Sequence, residues 1–79
     1  MLYEKEIREI LCEVLEYPEC EALDIRADLA PHGLDSLNCM NLVITLEEAF
    51  DVEIPEDKLG MRFVQTIEEI CKLVEEVKT

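Results

Sequence analysis

Apolar side chains near the start of the chain recur at Ile7, Ile10, Leu11, Val14 and Leu15, the i, i+3, i+4, i+7, i+8 spacing of a one-faced helix. The pattern predicts a helix over residues 3–16, which Pro18 cannot continue. From Tyr17 to Asp35 the period is lost. That stretch holds Pro18, Pro31 and Gly33, with Leu23, Ile25 and Leu29 as isolated apolar anchors. So long a connection either serves a function or contains a short turn of helix. Helical spacing resumes at Asp35 or Ser36, both good N-caps, and runs to about Phe50. Pro55 followed by Glu56-Asp57 predicts a short third helix, stopped near Gly60. A last helix is predicted over residues 66–77. It puts Ile67, Ile70, Cys71, Val74 and Val77 on one face, with Thr66 and Glu69 at capping-box spacing. The expected class is all-α: three main helices plus one short helix, with a long loop between the first two. At 79 residues the chain has room for one core, so residues 1–79 form a single domain.

The second helix has an unusual distribution. At roughly 100° per residue, Cys39, Leu42, Val43, Leu46, Ala49 and Phe50 gather on one broad core face. Leu37, Met40 and Ile44 fall on the opposite side, where a surface helix is normally polar, beside Asn41, Glu47 and Glu48. Either the other helices wrap this one and bury both faces, or the second face is an exposed apolar patch framed by acids. A patch one or two turns from Ser36 suits the docking of a partner.

Composition sharpens the picture. Twenty Asp and Glu against seven Lys and Arg give a formal net charge of −13. Such a surface repels phosphate backbones and anionic lipid, so neither nucleic acid nor a membrane surface is an expected partner. It suits steering towards basic patches on proteins, although the charge alone also keeps a small domain soluble and monomeric. Cys12, Cys20, Cys39 and Cys71 form no CxxC pair and match no common zinc spacing. Cys12, Cys39 and Cys71 fall within helical periodicity, where Cys packs as a small hydrophobe. No metal site is expected. Met1-Leu2-Tyr3-Glu4 runs into charged helix without a signal peptide, and no apolar run approaches a membrane span. A cytoplasmic, monomeric protein with reduced thiols is expected.

Gly33-Leu34-Asp35-Ser36-Leu37 stands where the long loop meets the second helix. Asp-Ser before a helix is ordinary capping chemistry. A nucleophile elbow would need a glycine two residues after Ser36 and a preceding strand, and neither is present. His32, the only histidine, lies in the same loop, and a chain this small has no room for a hydrolase cleft. No D-x-[DN]-x-[DN]-G calcium loop occurs.

The stretch from Leu29 to Asp57, LAPHGLDSLNCMNLVITLEEAFDVEIPED, resembles the heart of an acyl carrier protein. DSL alone is a weak signal. DSL followed ten residues later by Glu47-Glu48, then Phe50 and the Ile54-Pro55 turn, is a strong one. The resemblance implies a carrier of acyl or aminoacyl groups rather than an enzyme. A phosphopantetheinyl transferase would attach 4′-phosphopantetheine from coenzyme A to Ser36, with Asp35 and Leu37 flanking the site. It also implies that Leu37, Met40, Asn41, Ile44, Glu47 and Glu48 meet partner enzymes. These are the transferase, an acyl- or aminoacyl-activating ligase, and condensing and modifying enzymes with basic docking surfaces. Asn38 and Asn41 stand where housekeeping fatty-acid carriers usually have acids, so polyketide, lipopeptide or aminoacyl pathways join fatty-acid synthesis as candidates. The alternative is a carrier-like acidic helical module that docks a protein complex without the arm. An intact DSL argues against it.

Overall fold

The computed structural model describes residues 2–78, in which three α-helices pack around one apolar core: α1 (Glu4–Leu15), α2 (Ser36–Phe50) and α3 (Ile67–Lys78). No strand occurs among the described residues. Each helix forms where the period of 3.6 predicts it. Ile7 and Leu11 of α1 are fully buried, with Ile10, Val14 and Leu15 packed against the core edge. From α3, Ile67, Ile70, Cys71 and Val74 enter the core as expected, Val77 packs at its edge, and Leu73 is buried as well. Thr66 caps α3, its Oγ1 accepting the Glu69 N–H at 3.1 Å.

The 17–35 connection is well anchored. It contains two 3₁₀ turns, Pro18–Ala22 and Ala30–His32. Leu29 and Cys20 are fully buried. The Leu29 N–H donates to Gln65 O at 2.8 Å, and the Ile25 carbonyl accepts from the Glu68 N–H at 2.9 Å, which ties the loop to the start of α3. Against α1 the loop is gathered by Arg8, whose Nη1 donates to the carbonyls of Cys20, Glu21 and Leu23 while Nε pairs with Glu4.

Two expectations change, and one open alternative is decided. The segment after Pro55 is not an α-helix but two 3₁₀ turns, Glu56–Lys58 and Met61–Phe63. Only three residues continue from Glu56 before the extended Gly60 interrupts, too few to close a run of i→i−4 bonds, so i→i−3 bonds form instead. Ala49 is exposed, at the edge of the apolar arc of α2, while Phe50 beside it is buried. Leu37, Met40 and Ile44 remain 74%, 50% and 48% exposed, so the surrounding helices bury only one side of α2. The buried side supplies Cys39, Leu42, Val43, Leu46 and Phe50, and each fully buried Leu contributes roughly 1.5–3 kcal/mol.

Candidate functional site

The long loop delivers the chain to α2 through a constrained turn. Gly33 takes φ 110°, a conformation that suits glycine and strains any L side chain. Leu34 then turns inward, only 3% exposed, and its N–H donates to Leu29 O at 3.2 Å. Asp35 follows in extended backbone as the N-cap of α2, its Oδ1 accepting the Asn38 N–H at 2.8 Å. The amide of Asn38 reaches back from the first turn and donates to Gly33 O at 2.7 Å. A carboxylate could not make that last bond, which accounts physically for Asn at position 38.

Ser36 is the first residue of α2, exposed, between these fixed points. Among the described residues no side-chain hydrogen bond engages its hydroxyl. Asp35 performs the capping, so Ser36 is spared that role. Beyond the Asp35 carboxylate, which caps the Asn38 N–H, no acid occupies the first turn of α2, and the remaining N–H groups and positive dipole end lie beside a substituent on Ser36. Behind the turn, the Tyr17 and His32 rings stack at 5.1 Å.

Of the residues singled out in the sequence, Asp35, Ser36 and Leu37 lie together at the helix start, all exposed. Met40, Asn41 and Ile44 continue along the same outward side, also exposed. Glu48 is exposed, whereas Glu47 is half-buried and its Oε2 accepts the Ile54 N–H at 2.8 Å. Leu34, the Asn38 amide and Arg8 escaped the sequence reading. Gly33 followed by a hydrophobe before Asp-Ser was the available signal for an inward-turned Leu34.

No catalytic constellation accompanies Ser36. The Cys20, Cys39 and Cys71 thiols are pushed up by burial, Cys20 to about 11, which suppresses thiolate chemistry. Among the described residues no group of three or more His, Cys, Asp or Glu could hold a metal ion, and no helix is long and apolar enough to cross a membrane. A surface depression over α1 is lined by the charged residues Glu4, Lys5, Arg8, Glu9 and Glu21.

The family described as the phosphopantetheine attachment site matches residues 5–74. The chain belongs to that family. It is 32% identical over 72 residues to an acyl carrier protein of Sulfurovum sp. (strain NBC37-1), which spans 91% of this chain and 93% of the relative. It is 35% identical over 72 residues to an aminoacyl carrier protein of Agrobacterium fabrum, which spans 86% of this chain and 87% of the relative. The fold matches the solution NMR structure of a holo acyl carrier protein from Nitrosomonas europaea with a TM-score of 0.86 at 28% identity, over 96% of this chain and 95% of the other. As a member of the phosphopantetheine-attachment family the chain is an acyl or aminoacyl carrier, not an enzyme, and works with a covalent 4′-phosphopantetheine. Its partners are, in general terms, transferases and biosynthetic enzymes.

Proposed function

We propose that Ser36 is the attachment residue, flanked by Asp35 and Leu37, and that the outward side of α2 presents the loaded arm to successive enzymes. The observation that carries this reading is an exposed, unengaged hydroxyl at the first position of α2, held between the Gly33–Asn38 and Asp35–Asn38 hydrogen bonds. The arm supplies the thiol on which cargo rides as a thioester. The protein's own residues do the rest. Asp35 and Asn38 fix the backbone on either side of Ser36, and the positive end of α2 favours an anionic substituent on its hydroxyl.

Docking is assigned to Leu37, Met40, Asn41, Ile44, Glu47 and Glu48. The placement of Leu37, Met40, Asn41, Ile44 and Glu48 on the uncovered side of α2 supports it, whereas Glu47 is half-buried and engaged by the Ile54 N–H. The enzymes served are the transferase, an activating ligase, and condensing or modifying enzymes of a specialised pathway. Asn38 and Asn41, neutral where housekeeping fatty-acid carriers have acids, support that choice over fatty-acid synthesis. The reading includes a monomer in the cytoplasm, and buried Cys20, Cys39 and Cys71, packed as reduced hydrophobes, are compatible with it.

Incubation with coenzyme A, Mg²⁺ and a broad-specificity transferase should add one phosphopantetheine by intact mass, and Ser36→Ala should abolish it. Ser36→Ala should leave the melting curve nearly unchanged, because Asp35 and not Ser36 caps the helix. An unmodified wild-type chain would favour a docking module without an arm.

A further inference from the structure

Twenty acids are spread over the chain, yet Ser36 to Leu46, SLNCMNLVITL, contains no Asp, Glu, Lys, Arg or His. These eleven residues form the first three turns of α2, the part nearest the attachment position. The polar groups within them are largely committed. Asn38 is bound to Gly33 O, and the Thr45 hydroxyl folds back on Asn41 O at 2.8 Å. What faces outward is Leu37, Met40 and Ile44, all about half or more exposed, together with the Asn41 amide. The first acid beyond them, Glu47, has one carboxylate oxygen engaged by Ile54 N–H, so Glu48 is the nearest exposed acid on the helix.

We propose that the docking face of α2 fits an apolar, uncharged cleft on the enzymes that handle its arm, and not a basic one. The partner covers Leu37, Met40 and Ile44 with apolar side chains and meets the Asn41 amide with neutral hydrogen-bonding groups. It places cations only at the two ends of the face, opposite Asp35 and Glu48. The proposal rests on the reading of Ser36 as attachment residue and of α2 as partner face. Charge complementarity decides the partner's chemistry. A Lys- or Arg-lined surface laid over Leu37–Leu46 would lose hydration at each cation and find no carboxylate within that stretch in return, the nearest at its start being Asp35, already engaged by the Asn38 N–H. The −13 charge is carried by residues outside Ser36–Leu46 and steers the encounter over a Debye length of about 8 Å at physiological salt. Asn41 is therefore the specificity-determining position. It sits among the three apolar side chains, and a carboxylate there would place an unpaired charge in an apolar cleft.

The test measures kcat/KM for phosphopantetheine transfer by two enzymes, one transferase with an apolar carrier-binding cleft and one with a basic carrier-binding surface, at 0.05 and 0.3 M NaCl. Met40→Ser should lower kcat/KM with the apolar-cleft enzyme about tenfold at both salt concentrations, as loss of a central apolar anchor does. Asn41→Glu should lower it with that enzyme and raise it about tenfold with the basic enzyme, the gain disappearing at 0.3 M NaCl. Both positions are exposed, so unchanged melting curves confirm that the variants fold. If Met40→Ser stays within about twofold of wild type while Glu48→Gln loses about tenfold, docking is electrostatic and the proposal falls while the attachment reading stands. A wild-type chain that neither enzyme modifies at any salt overturns the attachment reading, and this one with it. A dimer in sedimentation that Met40→Ser dissociates would make a second copy the occupant and overturn the proposal.

Discussion

Glu47 Oε2 accepts the backbone N–H of Ile54 at 2.8 Å, across seven residues, and so ties the end of α2 to the segment that turns back towards Pro55. Ile54 is itself buried, which holds its N–H in place. Glu47→Ala should cost about 1–2 kcal/mol in urea unfolding, since a charged acceptor is removed from a half-buried N–H. Glu47→Gln should cost less, because an amide carbonyl still accepts. Glu48→Ala, fully on the surface, should stay within about 0.5 kcal/mol of wild type. Equal losses at 47 and 48 would show that the Ile54 bond adds nothing.

Arg8 is expected to be the most sensitive charged residue of the chain. Its Nη1 lies 3.0, 3.1 and 2.6 Å from the carbonyls of Cys20, Glu21 and Leu23, and its Nε lies 2.9 Å from Glu4. Arg8→Ala should cost about 2–3 kcal/mol, the worth of charge-assisted bonds to a loop that has no other tie to this part of α1 as strong. Arg8→Lys should recover only part, because an ammonium cannot reproduce the planar fork. Hydrogen exchange of the 18–23 amides should rise in both variants, and unchanged exchange there would remove Arg8 from its anchoring role.

Burial raises the Cys20 thiol from its ordinary 9.0 to about 11. Above pH 9 the unfolded thiol ionises while the folded one keeps its proton. The folded state then binds more protons, and stability falls as pH rises. The contribution is intact below pH 9 and is lost progressively between pH 9 and 11. Melting temperatures across that range should fall more steeply for wild type than for Cys20→Ala, and parallel slopes would count against the shift. At neutral pH a thiol reagent should label half-buried Cys12 first, leaving Cys20, Cys39 and Cys71 until the chain opens.

Glu16 ends α1 in the left-handed conformation, φ 53° and ψ 41°, where glycine is the usual choice. It also sets a negative charge at the negative end of the helix dipole. Glu16→Gly removes both penalties and should raise stability by up to about 1 kcal/mol, offset in part by the extra freedom of glycine in the unfolded chain. Asp51 ends α2 at φ 53° in the same way, but Asp tolerates this region better, so Asp51→Gly should gain less. A lower melting temperature for Glu16→Gly would contradict this account.

Periodicity alone determined the three helices of this protein, because each has an apolar stripe long enough to read and a proline, glycine or cap near an end. Glu4–Leu15 against residues 3–16, and Ile67–Lys78 against residues 66–77, differ by a residue or so at helix ends. The Gly33–Leu37 motif and the apolar Leu37, Met40 and Ile44 were equally legible, since both are patterns within a few turns of chain. Tertiary structure decided the rest. Whether the second face of α2 was covered depended on where two other helices and a 19-residue connection lay, which no local pattern specifies. The segment after Pro55 became two 3₁₀ turns because the extended backbone at Gly60 interrupts it, between the buried Ile54 and Val64. Glu47 and Glu48 are indistinguishable neighbours in sequence. One meets the half-buried N–H of Ile54 and the other faces solvent, because adjacent residues on a helix are about 100° apart and only the folded chain supplies something for one of them to meet.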